Sequence, residues 1–452
     1  MTRNGDVSFW WHQEGLPAPR PPLPGDLDVD VAIVGAGYTG LWTAYYLAER
    51  RPDLRIVVLE RRFAGYGASG RNGGWLTNSV TGGRERYGRE GGIRQQRAMN
   101  DTVDEVIRVA AAEGIDADIH RGGELTIARS PAQLARLDAM FAAESAWPAT
   151  DVERWDAART AAHVRVAGTL GAVWHPHCAR IHPVKLLTGL ASAVERRGVT
   201  IHENTAVIEI VPGRAVTDRG VVRAAAVIRA TEGFTTDLRG ERRTWLPMNS
   251  SMIVTAPLPD EAWEEIGWTD AATLGDAAHV YMYAQRTADG RIAFGGRGVP
   301  YRYASRVDAD GATPASTVAS LTELLHRFFP AASGVPIDHA WSGVLGVPRD
   351  WAATVGFDRA SGLGWAGGYV GTGVATTNLA GRTLADLVLE EESELTRLPW
   401  VGHRARRWEP EPLRWLAVRA LYTAYGMADR RESRGEPRTS AIARLADRIA
   451  GR

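Results

Sequence analysis

Cysteine and lysine are almost missing from this chain: of its 452 residues, Cys178 is the one cysteine and Lys185 the one lysine. A lone cysteine excludes an intrachain disulfide and fits a reducing compartment, so a cytoplasmic location is expected. A lone lysine confines lysine-based chemistry to a single position. Net charge is also lacking, because Lys+Arg and Asp+Glu are 53 each. A protein that wraps a nucleic-acid backbone carries a basic excess, so no nucleic-acid partner is expected. No stretch has the continuous apolar region of a signal peptide. The opening, Met1 to Gly25, instead carries Phe9-Trp10-Trp11 and then five prolines between Pro17 and Pro24. It reads as an arm lying over the surface. The most apolar run, Val29 to Ala48, is about as long as a membrane span but is interrupted by Gly35, Gly37 and Gly40. A strand, a tight turn and a helix explain it better.

What is present is an ordinary globular composition, 44% hydrophobic and 23% charged, which excludes a disordered or fibrous chain. The pattern predicts a strand at 30–34, a helix at 39–50 and a strand at 55–60, a βαβ unit on a parallel sheet. Helices are also expected at 98–113, 183–197, 377–391 and 413–425. Strands are expected at 123–128, 200–202, 206–211, 221–222, 226–229, 251–255, 280–285 and 291–295. Asp289-Gly290 signals a hairpin turn. Within the strand at 280–285, Tyr281 and Tyr283 would share one face, either in the core or on a pocket wall.

Three glycine-rich motifs carry the chemistry. Gly35-Ala-Gly37-Tyr-Thr-Gly40 follows a buried strand and opens a helix, and Glu60 ends the next strand. The first glycine makes the turn, the second admits a pyrophosphate to the backbone, and the third lets helix and strand pack closely. Glu60 is placed to accept a ribose hydroxyl, which favours FAD or NAD over NADP. Gly67-Ala-Ser-Gly-Arg-Asn-Gly-Gly74 is a main-chain-rich loop, and Gly367-Gly-Tyr-Val-Gly-Thr-Gly-Val374 is another glycine-rich entry to a helix.

These motifs, with Ile181-His-Pro183, Ala230-Thr-Glu232 and Trp341-Ser-Gly343, resemble the FAD-dependent D-amino acid oxidase superfamily, which includes glycine and sarcosine oxidase-like enzymes. Within it the chain is most similar to the gamma-glutamylputrescine oxidase-like amine oxidoreductases. The similarity runs from about Asp28 to Leu389, and more loosely into Leu413–Tyr425. It implies an α/β fold with a Rossmann-type FAD-binding domain, a smaller α+β substrate domain on an antiparallel sheet, and a C-terminal helical tail. The corresponding boundaries are an arm at 1–27, an FAD-binding domain at 28–97, 165–237 and 338–398, a substrate domain at 98–164 and 238–337, and an arginine-rich tail at 399–452.

The resemblance further implies that Gly35, Ala36, Gly37, Tyr38, Thr39 and Gly40 hold the pyrophosphate, and Glu60 with Arg61 the adenosine end. Ser69, Arg71, Asn72 and Gly73 would line the stretch from phosphate to flavin. Val207 and Thr231 would lie near adenine, and Gly371, Thr372, Gly373 and Val374 near the flavin ring. The branch often has histidine where this chain has Thr372. The implied reaction is oxidation of the C–N bond of a primary or secondary amine, by hydride transfer to flavin, giving an imine that hydrolyses. The electron acceptor would be molecular oxygen, or a quinone or other non-oxygen acceptor. A pyridine-nucleotide dehydrogenase is the rival from the first motif alone. It leaves the other two glycine loops without a ligand.

His175-Pro-His177-Cys178 with His182 invites a metal site, but no second ligand cluster of matching spacing follows, and no metal is expected. Neither late motif offers the cysteine or histidine needed for covalent flavin attachment, so FAD is expected to be non-covalent. Some related oxidases place a lysine over the flavin, and Lys185 sits in the wrong helix for that. Arg297 lies at the end of a strand, and the resemblance implies that this region lines the substrate face, where it could bind an anionic group; an ordinary surface arginine is the alternative. The tail helix shows an apolar stripe of Leu413, Leu416, Ala417, Ala420, Leu421 and Ala424, with Arg414 and Arg419 off it. Docking on the protein itself is the expected use, and membrane association is not expected.

Overall fold

The computed structural model describes residues 2–296, 301–307, 310–436 and 438–450. At its centre the strand Leu27–Val34 pairs in parallel with Ile56–Leu59 on one side and Val221–Arg229 on the other. Val31, Ala32, Ile33 and Val34 are all buried, as a strand covered on both faces requires. Ile33 and Val58 face helices Tyr38–Arg50, Pro183–Arg196 and Gly373–Val388, and helix Gly88–Ala112 adds Met99, Val103 and Val106 to the same core. Ala32, Val57 and Val222 face the opposite layer with Val207 and Leu238.

The predicted strands at 221–222 and 226–229 are one strand. Its outer part is antiparallel to Arg214–Thr217, while its inner part is parallel to Leu27–Val34 and to Leu363–Gly367. It thereby joins an antiparallel meander to the parallel layer.

The second sheet is mostly antiparallel. Its long central pair is Leu246–Thr255 with Ile337–Val347, and Ile292–Gly296 flanks the former. The hairpin Tyr283–Arg286 to Ile292–Gly296 turns at the predicted Asp289-Gly290, where Gly290 has φ +74°. This sheet packs its own core of Trp155, Ile253, Trp268, Phe294 and Phe328. Tyr281 precedes the strand, which begins at Tyr283, so the two tyrosines do not share a strand face. Of the residues that the alternation assigns to the strand, Val280 ends a turn and 281–282 precede the first strand residue.

Two further expectations are corrected. The amino-terminal arm begins inside the molecule: Ser8 caps a helix Phe9–Glu14 by accepting from the Trp11 N–H, and Phe9, Trp10 and Trp11 are buried. Residues 12–19 lie exposed. The tail helix, Leu413–Glu432, is rotated from the expected stripe. Leu413 and Leu416 are 60% and 53% exposed, whereas Arg414 is 3% exposed. Arg414 finds Glu411 at 2.9 Å, Ser305 Oγ at 2.9 Å and the Arg242 carbonyl at 3.2 Å, so specific polar partners override the apolar pattern. Among the described residues no helix is long and apolar enough to cross a membrane.

Candidate active site

The helix Tyr38–Arg50 starts directly after the central strand, with Gly37 as its cap residue. Gly40 allows that closeness, since a Cβ there would collide with the Gly35 carbonyl and stand 3.2 Å from Ile33 Cγ2. Gly40 is therefore a packing residue and does not line a cavity. The N-terminus of the helix opens onto a cavity of about 310 Å3. At one end lie Val207, Leu238, Glu60 and Arg61, in the middle Gly35, Gly37, Tyr38, Thr39, Ser69 and Asn72, and at the other end Gly371, Gly373 and Val374. The three glycine motifs thus meet on one elongated site.

Polar groups along this site are held in place. Glu60 accepts from the N–H groups of Ala36, at 2.9 Å, and Arg62, at 3.0 Å. Burial raises its carboxyl above the ordinary carboxylate range, against those two donors, which lower it. A carboxylate has further lone pairs for a ribose hydroxyl. Arg61 is held by Asp237 at 2.6 Å. Ser69 Oγ accepts from the Tyr38 N–H at 2.9 Å, and Asn72 folds onto its own loop through the Ser69 carbonyl and the Gly74 N–H. Thr231 lines the wall and shares a hydrogen bond with Thr235.

Several residues expected at the cofactor lie off the cavity. Ala36 is buried behind the turn. Arg71 donates to the carbonyls of Tyr66 and Ser342 and stacks over the Tyr66 ring at 4.4 Å, which gives it a part in bracing the loop. Gly73 lies against the ring of Tyr283. Thr372 bonds the Thr81 hydroxyl and the Tyr369 carbonyl and faces a neighbouring cavity. Tyr283 bonds Ser250 Oγ at 2.8 Å, while Tyr281 lines a separate cavity under the tail helix. Arg297 lies outside the described residues. The histidine-rich stretch disperses: His177 meets Asp151, His175 lies 3.5 Å from Glu124, and Cys178 is buried beside Thr273.

Two supports were not legible as such. Glu232 lines the cavity and accepts from the N–H groups of Gly346, Gly368 and Tyr369, so it pins the late glycine loop. Burial pushes its carboxyl up to about 7 in spite of those backbone donors, which hold it down. The sequence signal was its place directly after a buried strand, within Ala230-Thr-Glu232. The amino-terminal helix buttresses the second glycine loop, with Ser8 donating to the Gly70 carbonyl and Trp10 to that of Asn72. The buried aromatic triplet was visible, but its partner was not.

A glycine-lined channel at a helix N-terminus, with a carboxylate at the far end, defines a dinucleotide-binding protein of the two-sheet flavoenzyme type. Residues 30–387 match the family described as FAD dependent oxidoreductase (DAO), and the chain belongs to that family. It is 30% identical to gamma-glutamylputrescine oxidoreductase of Escherichia coli, over 91% of this chain and 96% of that one. It is 27% identical to a probable oxidoreductase of Haemophilus influenzae, over 87% and 88%. Glycine oxidase from Geobacillus kaustophilus shares the fold, with a TM-score of 0.70 at 20% identity over 83% of this chain and 99% of that one.

The residues present fit FAD. A Cβ at Gly37 would stand 2.9 Å from Ser69 Oγ, so only glycine leaves the main chain open to a pyrophosphate there. No cysteine or histidine lines the cavity among the described residues.

Proposed function

We propose that the protein oxidises the C–N single bond of a primary or secondary amine, an amino acid or N-substituted amine, to an imine that hydrolyses to a carbonyl compound and an amine or ammonia. The observation that carries this reading is the convergence of three glycine motifs on one channel, in a chain similar over 91% of its length to gamma-glutamylputrescine oxidoreductase. FAD, bound non-covalently, supplies the two-electron acceptor. Glu60 and Arg61 hold its adenosine end, and the first helical turn after Gly37 faces its pyrophosphate. Ser69 and Asn72 shape the bend toward the late loop. Gly371, Gly373 and Val374 meet the ring, at the N-terminus of Gly373–Val388, where the helix dipole favours electron-rich carbonyls. Glu232 keeps that loop in place.

A non-oxygen acceptor is the second reading for the electrons. Lys185, the one lysine, is held by Asp118 at 3.1 Å and does not line the cavity, so no ammonium stands by to assist reduction of oxygen. Anaerobic mixing of the purified yellow protein with a panel of amines tests the reaction. Loss of flavin colour with an amine supports it, and colour unchanged by every amine refutes it. Readmitting air, or adding a soluble quinone, then separates the two acceptors.

A further inference from the structure

We propose that a cleft walled by the tail helix binds the aromatic or bulky apolar end of the amine substrate, a proposal that rests on the amine-oxidising reading. The cleft has a volume of about 330 Å3, within the range of small-molecule sites (about 300–1,000 Å3). Leu246, Met248 and Tyr281 form its floor, Trp351 and Trp408 one side, and Ala417, Leu421 and Tyr422 of the tail helix the other. The tail helix lies beyond the residues matched by the family, 30–387.

Its position ties it to the flavin end of the channel. A second cavity, of about 840 Å3, contains Thr372 and Val370 of the late glycine loop, and shares Tyr369 with the dinucleotide channel. The same cavity shares Arg349 and Trp351 with the aromatic cleft. The three spaces are therefore neighbours, with Tyr369 between the first two and Arg349 and Trp351 between the last two. Trp351 stands at the junction with φ +61°, a left-handed backbone that a bulky residue rarely adopts. The fold holds this indole between the cavity at the late glycine loop and the aromatic cleft, against its own backbone preference.

The chemistry of the walls selects the occupant. Their charged groups are paired within the protein. Arg349 reaches both oxygens of Glu409 at 3.1 and 3.2 Å and lies over the Trp408 ring, whose N–H donates to the Val347 carbonyl at 2.7 Å. Arg414 is held by Glu411 and Ser305, and His279 by Glu432 at 3.0 Å. A polar ligand would find few hydrogen bonds left to make, whereas an aryl group would bury its faces against indole and phenol rings. The amine nitrogen would then point back toward Thr372 and the channel.

The test compares 4-phenylbutylamine with butylamine in anaerobic bleaching of the holoenzyme, and adds 4-phenylbutan-1-ol as a probe that has no C–N bond to oxidise. Binding of that alcohol is followed by saturation-transfer NMR. The aryl amine should half-bleach the flavin at a concentration at least about tenfold below that of butylamine, as burial of a ring gives. Ala417→Trp, which fills the cleft from an exposed position, should shrink that ratio to about one and abolish the phenylbutanol signal. Tyr422→Ala, a truncation that needs no extra space, should lower the ratio several-fold. Bleaching by both amines at similar concentrations, with no phenylbutanol signal, would overturn the cleft assignment while leaving amine oxidation standing. A phenylbutanol signal lost in Ala417→Trp, with no bleaching by any amine, would keep the cleft as an aryl site and overturn its link to an amine substrate.

Discussion

The hydroxyls of Thr39 and Tyr369 lie 2.9 Å apart, both buried, and join the first glycine motif to the late one across 330 positions of sequence. Thr39 sits in the first turn of the helix that opens onto the channel, and Tyr369 lies in the late glycine loop. One hydrogen bond thus links the two glycine motifs directly.

Tyr369→Phe should leave the Thr39 hydroxyl buried without that partner, at a cost of about 1–3 kcal/mol. The expected outcome is a lower thermal midpoint and weaker retention of FAD on dilution, with the protein still folded. An unchanged midpoint in a calorimetric scan would show that the two motifs are held by packing alone.

Gly37→Val should give mostly apoprotein. The Cβ alone would stand 2.9 Å from Ser69 Oγ, and the two methyl groups would project into the channel. FAD per chain, read from absorbance after denaturation, should drop to below about a tenth of the parent value, given a main chain that must approach the phosphates closely. Retention of full flavin content would remove this helix end from the site.

Glu232 makes stability depend on pH. Its carboxyl titrates at about 7 in the folded protein against an ordinary 4.5, with burial as the leading cause. Below pH 4.5 both states hold the proton and nothing is lost. Between 4.5 and 7 the unfolded chain gives it up while the folded one keeps it, so stability falls as pH rises, by about 3 kcal/mol at 1.36 kcal/mol per pH unit. Asp276, pushed up to about 7 by burial as well, acts over the same window. Urea midpoints measured from pH 5 to 8 should therefore decline, and Glu232→Gln should remove about half of the slope. Identical slopes in parent and variant would assign the dependence elsewhere.

The tail helix is locked by Arg136, which donates to Glu432 at 2.7 Å and Thr439 at 3.3 Å. Glu432 is almost fully buried and also meets His279 at 3.0 Å and the Ser440 N–H at 3.0 Å. Arg136→Met should cost about 2–3 kcal/mol, less than a fully buried pair because Arg136 is partly exposed. Hydrogen exchange should speed up over 413–436 while FAD content stays at the parent level. Uniform loss of protection across the chain would mean that tail and body unfold together.

Much of the channel was legible because its signals are local. A glycine that must turn or admit a phosphate, a strand buried on both faces and a carboxylate at the next strand end all lie within Val31–Glu60, and the fold puts them where that spacing requires. The same holds for Gly371, Gly373 and Val374, which open a helix. Arg71 and Thr372 fared differently. Both sit inside glycine-rich motifs, but their side chains turn to the carbonyls of Tyr66 and Ser342 and to the hydroxyl of Thr81. Nothing in the motif records that these partners exist.

The sequence by itself determined the parallel βαβ core, the three glycine-rich turns and the membership that they announce, because backbone sterics and strand burial act within a few residues of one another. Tertiary structure decided what depends on partners distant in the chain. It buried Phe9, Trp10 and Trp11 beneath the second glycine loop, rotated the tail helix so that Arg414 points inward and Leu413 outward, and set Tyr369 on Thr39. At the tail helix, hydrogen bonds and an ion pair to other segments outweighed the local apolar pattern, since a buried polar group without a partner costs more than an exposed leucine.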